Sequence, residues 1–153
     1  MNPNGSPNIR TSAAHGRAAA RRNRLRALQH VMELCLDGRR TEALPWLIGQ
    51  TMTDDTLLGI TVVQLDTAMT GASHHRAVKA LRQARTAIDD HTDKADGYLT
   101  LRWLFDAEDQ GLRFTSWLAA ISSRDLGFKL QPPDGFPWAR IYAGFKEEEQ
   151  WEA

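Results

Sequence analysis

Between His15 and Arg26 the chain sets five arginines, Arg17, Arg21, Arg22, Arg24 and Arg26, among alanines, and no acid occurs before Glu33. Such a run cannot build a core. The apolar spacing of three and four that a buried helix face needs begins only at Leu25 and continues through Leu28, Met32 and Cys35 or Leu36. The pattern predicts one long helix over residues 12–37, capped by Ser12 and stopped by Gly38. Its first half projects and its second half packs. Residues 1–11 are rich in Asn, Pro, Gly and Ser and read as a disordered N-terminus.

The arginine run belongs to a wider asymmetry that a formal net charge of zero conceals. Residues 1–88 hold 12 Lys+Arg against 6 Asp+Glu, a balance of +6, whereas residues 89–153 hold 7 against 13, a balance of −6. A split of this kind points to a polyanion partner for the first half and an acidic appendage in the second. A length of 153 residues suits one domain with a small extension, and 42% apolar residues suffice for a modest core. Nothing approaches the roughly 20 consecutive apolar residues of a membrane span, and the first residues lack the apolar run of a signal peptide. The single cysteine, Cys35, excludes an internal disulfide and a Cys-rich zinc site and reads as an inert packing thiol on a buried helix face. The expected location is cytoplasmic.

Past Gly38, Thr41 opens a short helix over residues 41–48, with Pro45 near its first turn and Trp46 and Leu47 as core candidates. Thr53, Asp54 and Asp55 read as a cap with acids in the first turn, followed by Leu57, Leu58 and Ile60. Thr61 caps a helix over residues 62–69, and Thr70 to Ser73 form a tight turn. Ser73 caps a helix over residues 74–88 with Ala77, Ala80 or Leu81, Ala84 and Ile88 inward. Residues 89–97 are acidic and polar and read as a linker. Residues 99–107 and 114–121 look helical around Gly111, residues 131–137 form a Pro- and Gly-rich break, residues 138–145 fit neither period, and the tail is acidic.

Two segments carry chemistry. On a helix, Arg17, Arg21 and Arg24 recur at four and three and share a face, with Arg22 and Arg26 on the adjoining one. Two such rows track phosphates, whose oxygens match guanidinium forks. The plain alternative, a solvated face, ordinarily mixes signs. The second segment is the helix–turn–helix over residues 62–81. The turn exposes the first-turn N–H groups of the following helix, donors without an intrahelical partner at the positive end of the dipole. Gly71 and Ser73 shape that turn, and His74, His75, Arg76 and Lys79 surround it. An ordinary αα-hairpin with a polar surface is the alternative.

Together these segments resemble the actinobacterial (mycobacterial-type) integration host factor family. Ala18 to Arg24 matches that family's Ala- and Arg-rich first helix, Gly38-Arg39-Arg40-Thr41 its Gly-Gly-Thr break, and Thr53 to Leu57 its S-D-E-V-L segment. Val62, Leu65, Ala68 and Met69 fall on the apolar positions of its V-x-x-L-L-x-A-L element. His74 to Ala77 fall on its Lys-Val-Lys-Ala, and Leu81 on its final Met. The resemblance covers about residues 13–88, and residues 89–153 have no counterpart. It departs at the turn, where the family's Pro, Lys, Val and Gly become Thr70, Gly71, Ala72 and Ser73. His74 and Arg76 stand for two lysines, exchanging one fixed charge for an imidazole. The resemblance implies a small helical bundle with a helix-two-turn-helix element. It implies binding and bending of duplex DNA with little sequence preference, as a nucleoid-associated or integration-assisting protein. The acidic extension suggests a phage or mobile-element variant.

The remaining candidates are weaker. In residues 101–120, Ala107 and Gly111 sit four apart, as in a DNA-reading helix–turn–helix, but Asp106, Glu108 and Asp109 would repel phosphate. A helical hairpin packed on the core or on a partner is the expectation there. The aromatics Trp103, Phe105, Phe114, Trp117, Phe128, Phe136, Trp138, Tyr142, Phe145 and Trp151 either build the core of the acidic half or form a surface that docks a protein. His91 with Asp89, Asp90 and Asp93 reads as a solvated segment rather than a metal cluster. There is no catalytic constellation, Gly-rich phosphate loop or Ser-elbow motif, so an enzyme is not expected, nor a cofactor. The expected organisation is all-α: a disordered N-terminus (1–11), a DNA-binding domain (12–88), a linker (89–97) and an acidic, aromatic-rich, mostly helical extension (98–153). The expected partner is double-stranded DNA, held through its phosphates. The alternative is a protein-interaction adaptor acting through the acidic half.

Overall fold

The computed structural model describes the backbone of residues 6–126 and the side chains within residues 12–125. The expectations for residues 131–137, 138–145 and the acidic tail lie outside the described residues. Within them the protein is all-α: six helices joined by short 3₁₀ turns, and no strand. The chain divides after Gly59 into two units.

The first unit is a helical hairpin. Helix α1 spans Ser6–Leu36 and α2 spans Arg40–Thr53. Ser12 therefore lies inside α1 rather than capping it, and residues 6–11 are helical rather than disordered. The stop at Gly38 is as expected: its φ of 78° reverses the chain, and the Arg39 N–H donates to the Leu34 carbonyl at 2.8 Å. The helices run antiparallel, because the His30 and Trp46 rings meet at a tilt of 53° with centroids 4.3 Å apart while Asn23 Nδ2 donates to Asp54 Oδ2 at 3.3 Å. The 3₁₀ turn Asp55–Gly59 packs against both.

The buried row of α1 is not the expected one. Ala27, Val31 and Leu34 are buried opposite Ala43 and Leu47 of α2, with Leu57 beside them. Leu25, Met32 and Leu36 are exposed, and Leu28 and Cys35 half-buried. The seam of α1 thus includes a small residue, Ala27, and leaves three larger apolar ones outside it. Helix α2 also begins before and ends beyond the predicted segment. Pro45 consequently sits past the first turn, where it deprives the Thr41 carbonyl of its helical donor.

The second unit is built on α3 (Val62–Thr70) and α4 (His74–Ala87), followed by the short α5 (Leu101–Leu104) and by α6 (Leu112–Leu126). Thr61 caps α3 through a reciprocal pair, its hydroxyl accepting from the Gln64 N–H while Gln64 Oε1 accepts from the Thr61 N–H. Backbone bonds from Val62 N to the Leu99 carbonyl (2.9 Å) and from Leu101 N to the Ile60 carbonyl (2.8 Å) tie the starts of α3 and α5 together. Helix α6 lies along α4. The facing surfaces are small, Ala77, Ala80, Ala84 and Ala87 on α4 and Ser116, Ala119 and Ala120 on α6, all buried. Ser116 Oγ satisfies itself in that dry contact by donating to the Ala84 carbonyl at 2.8 Å. Leu65, Leu81, Leu99, Leu101, Leu104 and Trp117 are fully buried, each such leucine contributing about 1.5–3 kcal/mol by its removal from water.

The expected linker at residues 89–97 does not separate domains. It is a folded turn gathered by Arg85, which donates to Asp90 Oδ2 (2.8 Å), Asp96 Oδ1 (2.7 Å) and the carbonyls of Thr92 (2.6 Å) and Lys94 (3.2 Å). Burial opposes the Arg85 charge, but the hydrogen bonds it donates to Asp96 and Asp90 outweigh it and hold the guanidinium above its ordinary value. Trp103 Nε1 donates to Thr92 Oγ1 at 3.0 Å, and the Arg113 guanidinium lies 4.9 Å over the Trp103 ring. Acids that look solvated in sequence are here the inner lining of a turn.

Candidate nucleic-acid interface

The basic surface of the first unit is the middle of α1. Arg17, Arg21, Arg22 and Arg26 are exposed, and none has a hydrogen bond or ion pair with a described residue. At 1.5 Å of rise per residue they extend over about 14 Å of helix axis, long enough to meet several phosphates of a duplex. Arg24 does not join them. It is half-buried, its Nη1 reaches the Thr56 carbonyl at 3.5 Å, and a Cβ placed on Gly59 would stand 3.3 Å from that nitrogen. The reason is positional: Arg24 falls one turn before Ala27 on the buried row, where the 3₁₀ turn Asp55–Gly59 is within its reach. The projected three-arginine row is thus two arginines plus a brace.

In the second unit the helix–turn–helix forms at the predicted positions. Gly71 ends α3 in the left-handed region (φ 76°), its N–H donating to the Thr67 carbonyl at 2.9 Å. Ser73 caps α4, its Oγ accepting from the Arg76 N–H at 3.2 Å. Gly71, Ser73, His74, His75, Arg76 and Lys79 are all exposed around this turn. One acid intrudes: Asp125 Oδ1 lies 3.5 Å from Arg76 Nη2.

What the sequence reading missed is the clamp behind the turn. Asp66 of α3 is fully buried, and Arg124 of α6 grips it with both guanidinium arms, Nη1 to Oδ2 at 2.9 Å and Nη2 to Oδ1 at 2.7 Å. The Thr70 hydroxyl lies 2.9 Å from the same Oδ1 and 2.8 Å from the Asp66 carbonyl, and it accepts from the Ala72 N–H at 3.2 Å. Arg124 Nη1 also reaches the Arg76 carbonyl at 3.4 Å, and its fork meets Asp125 at 2.7–2.8 Å. The hydrogen bonds to Asp66 first and to Asp125 second hold the Arg124 guanidinium well above the ordinary arginine range. The turn that would meet phosphate is therefore fixed from the inside by a residue of the acidic half. A sequence signal existed: Asp66 sits three and four residues from Val63 and Val62, on an apolar face where an acid requires a partner.

The other candidates resolve plainly. Residues 101–120 do not form a second DNA-reading motif. Helix α5 is a single turn, Gln110 and Gly111 are both left-handed, and Asp109 lies 3.4 Å from Arg113. The segment is a hairpin whose second arm packs on α4, as its acids suggested. Asp90 is spent on Arg85, Thr92 and Arg113, while His91 meets Asp89 at 3.1 Å on the exposed side. Among the described residues no group of His, Cys, Asp and Glu is arranged to hold a metal, and no helix is long and apolar enough to cross a membrane. Of the aromatics of the acidic half, Trp117 is buried, and Trp103, Phe105 and Phe114 are half-buried, with Phe105 edge-on to Phe114 at 5.3 Å. Phe128, Phe136, Trp138, Tyr142, Phe145 and Trp151 lie outside the described residues. The chain matches no protein-family model, no curated protein and no solved structure.

Proposed function

We propose that this protein binds duplex DNA through its phosphates, with little sequence preference, as an architectural protein that bends DNA and assists nucleoid organisation or integration. The observation that carries the reading is the exposed group Arg17, Arg21, Arg22 and Arg26, four guanidinium groups with no described acid to neutralise them. Structural arginines in this chain behave otherwise: Arg85, Arg113 and Arg124 are each held by carboxylates. The capped start of α4, with His74, His75, Arg76 and Lys79, supplies a second basic surface, on which Asp125 already meets Arg76. The adaptor reading draws less support, because of the described aromatics of the acidic half Trp117 is buried, Trp103, Phe105 and Phe114 are half-buried, and Tyr98 alone is exposed.

The test is a gel shift on random-sequence duplex across a salt series. Affinity should fall linearly in log–log form, with a slope of about −0.9 for each phosphate neutralised. The paired reversal Arg21→Glu and Arg22→Glu should weaken binding equally on all sequences and flatten that slope. A double variant that binds as the parent does would remove α1 from the interface.

A further inference from the structure

Helix α4 has the charge character of the arginine run in α1: six of its fourteen residues are His, Lys or Arg, and none is acidic. Helix geometry sorts them. At about 100° per residue, the buried Ala77, Ala80, Leu81, Ala84 and Ala87 define an inward direction. His74 and Arg76 lie roughly 80° to either side of it, and each meets a neighbour there. A Cβ placed on Gly97 would stand 3.9 Å from His74 Cε1, and Asp125 lies against Arg76 on the other flank. Arg85, on the His74 side, is held by Asp90 and Asp96. His75, Lys79, Arg82 and Thr86 fall within about 45° of the outward direction, and all four are exposed. They step by four, three and four residues, the spacing of one helix face. Arg82 is the member that the turn before α4 does not supply. Its side chain is 66% exposed, and Nε donates to Asp96 Oδ2 at 3.3 Å. The same carboxylate accepts from Arg85 through Oδ1 at the shorter 2.7 Å. The Nη1 and Nη2 groups of Arg82 make no hydrogen bond with a described residue.

We infer that the second unit meets duplex DNA side-on, with the outer row His75, Lys79 and Arg82 of α4 laid along a phosphate strand and Arg82 as a further DNA-binding residue. The inference rests on the DNA reading and specifies how that unit would dock. Charge complementarity selects the occupant. The row is cationic on a helix without an acid, and the paired Nη groups of Arg82 are the fork that fits phosphate oxygens. From His75 to Arg82 the row covers about 10 Å of helix axis, over which one DNA strand presents about three phosphates along the duplex axis. Asp89, exposed just past the end of α4, bounds the row there. His74 and Arg76, turned to the flanks, then serve as its edges rather than its centre.

The experiment is a gel shift of the full chain on random-sequence duplex across a salt series, comparing the parent with Arg82→Ala, Arg82→Lys, Thr86→Glu and Arg102→Ala. The last removes one exposed charge elsewhere in the same unit. Arg82→Ala should flatten the log–log slope by about 0.9, the share of one phosphate, and so lower affinity about eightfold at about 0.1 M salt. Arg82→Lys keeps the charge and should keep the parent slope. Thr86→Glu sets an acid four residues from Arg82 on the same row and should weaken binding too. Arg102→Ala should bind as the parent does. Every substituted side chain is already exposed, and circular dichroism confirms that each variant is folded. A folded Arg82→Ala with the parent's slope and affinity, in a chain whose binding the Arg21→Glu and Arg22→Glu pair still weakens, overturns the side-on row and leaves the DNA reading standing. An equal loss in Arg102→Ala overturns it as well, because the effect is then one of net charge. A parent that ignores duplex overturns both readings, and if it floats with phosphatidylglycerol vesicles instead, the row belongs to an anionic lipid surface.

Discussion

Replacing Arg124 by alanine should be far more damaging than its position near the end of α6 suggests. The side chain is 14% exposed and its partner Asp66 fully buried, so solvent screens the pair little. The substitution removes two charge-assisted hydrogen bonds of 2.7 and 2.9 Å and leaves a carboxylate with the Thr70 hydroxyl at 2.9 Å as its remaining side-chain donor among the described residues. Breaking one half of such a pair costs about 3–5 kcal/mol, and the surviving hydroxyl places the expectation near 3 kcal/mol. For a unit of this size each kcal/mol moves the midpoint by about 4–8 °C, so Tm should fall by at least about 12 °C. The double variant Asp66→Ala with Arg124→Ala orphans no charge and should be more stable than Arg124→Ala alone. The parent guanidinium is held above its ordinary value by Asp66 and then Asp125. Thermal and urea unfolding followed by circular dichroism measures all of this. A cost below about 1 kcal/mol, the worth of a surface pair, would refute the clamp.

Other outcomes are expected from the same structure. Arg24→Ala should lower stability while leaving the salt slope of DNA binding nearly unchanged, because its guanidinium serves the Asp55–Gly59 turn; paired unfolding and binding titrations check this. Gly71→Ala should cost about 1 kcal/mol and Gly71→Asn less, because the position is left-handed with open space around it; differential unfolding reads the order. Cutting the chain after Asp93 removes α5 and α6, bares the alanine face of α4 and orphans Asp66, so the fragment should lose the helicity of its second unit rather than survive as a DNA-binding module.

Local chemistry was legible in the sequence where the determinants are local. Thr61, Ser73 and Gly71 announce the ends of α3 and α4, and the period of Ala77, Ala80, Leu81, Ala84 and Ile88 gives the buried face of α4 because all are indeed inward. The failures are equally specific. In α1 the hydrophobic Leu25, Met32 and Leu36 outbid Ala27 in any reading by residue type, yet Ala27 is the residue buried and those three are exposed. Arg24 looked like its neighbours because nothing near it in sequence reveals the Thr56 carbonyl. Residues 89–97 looked solvated because a run of acids is ordinarily so, and the guanidinium of Arg85, which converts it into a packed turn, precedes it. Asp66 and Arg124 are 58 residues apart, a separation at which no periodicity speaks.

That separation has a consequence for the order in which the molecule is finished. The contacts of the hairpin of α1 and α2 fall among residues up to Gly59. Asp66, by contrast, must wait for a partner 58 residues downstream, about 3–12 s at ordinary rates of synthesis. Until Arg124 emerges, the carboxylate keeps its water, and the apolar residues beside it cannot shut around it without a large penalty. The arginine-bearing arm is thus complete early, while the turn of α3 and α4 is set last, by the segment that carries the opposite charge. A chain whose synthesis halts before Arg124 would carry the basic helix without the finished turn.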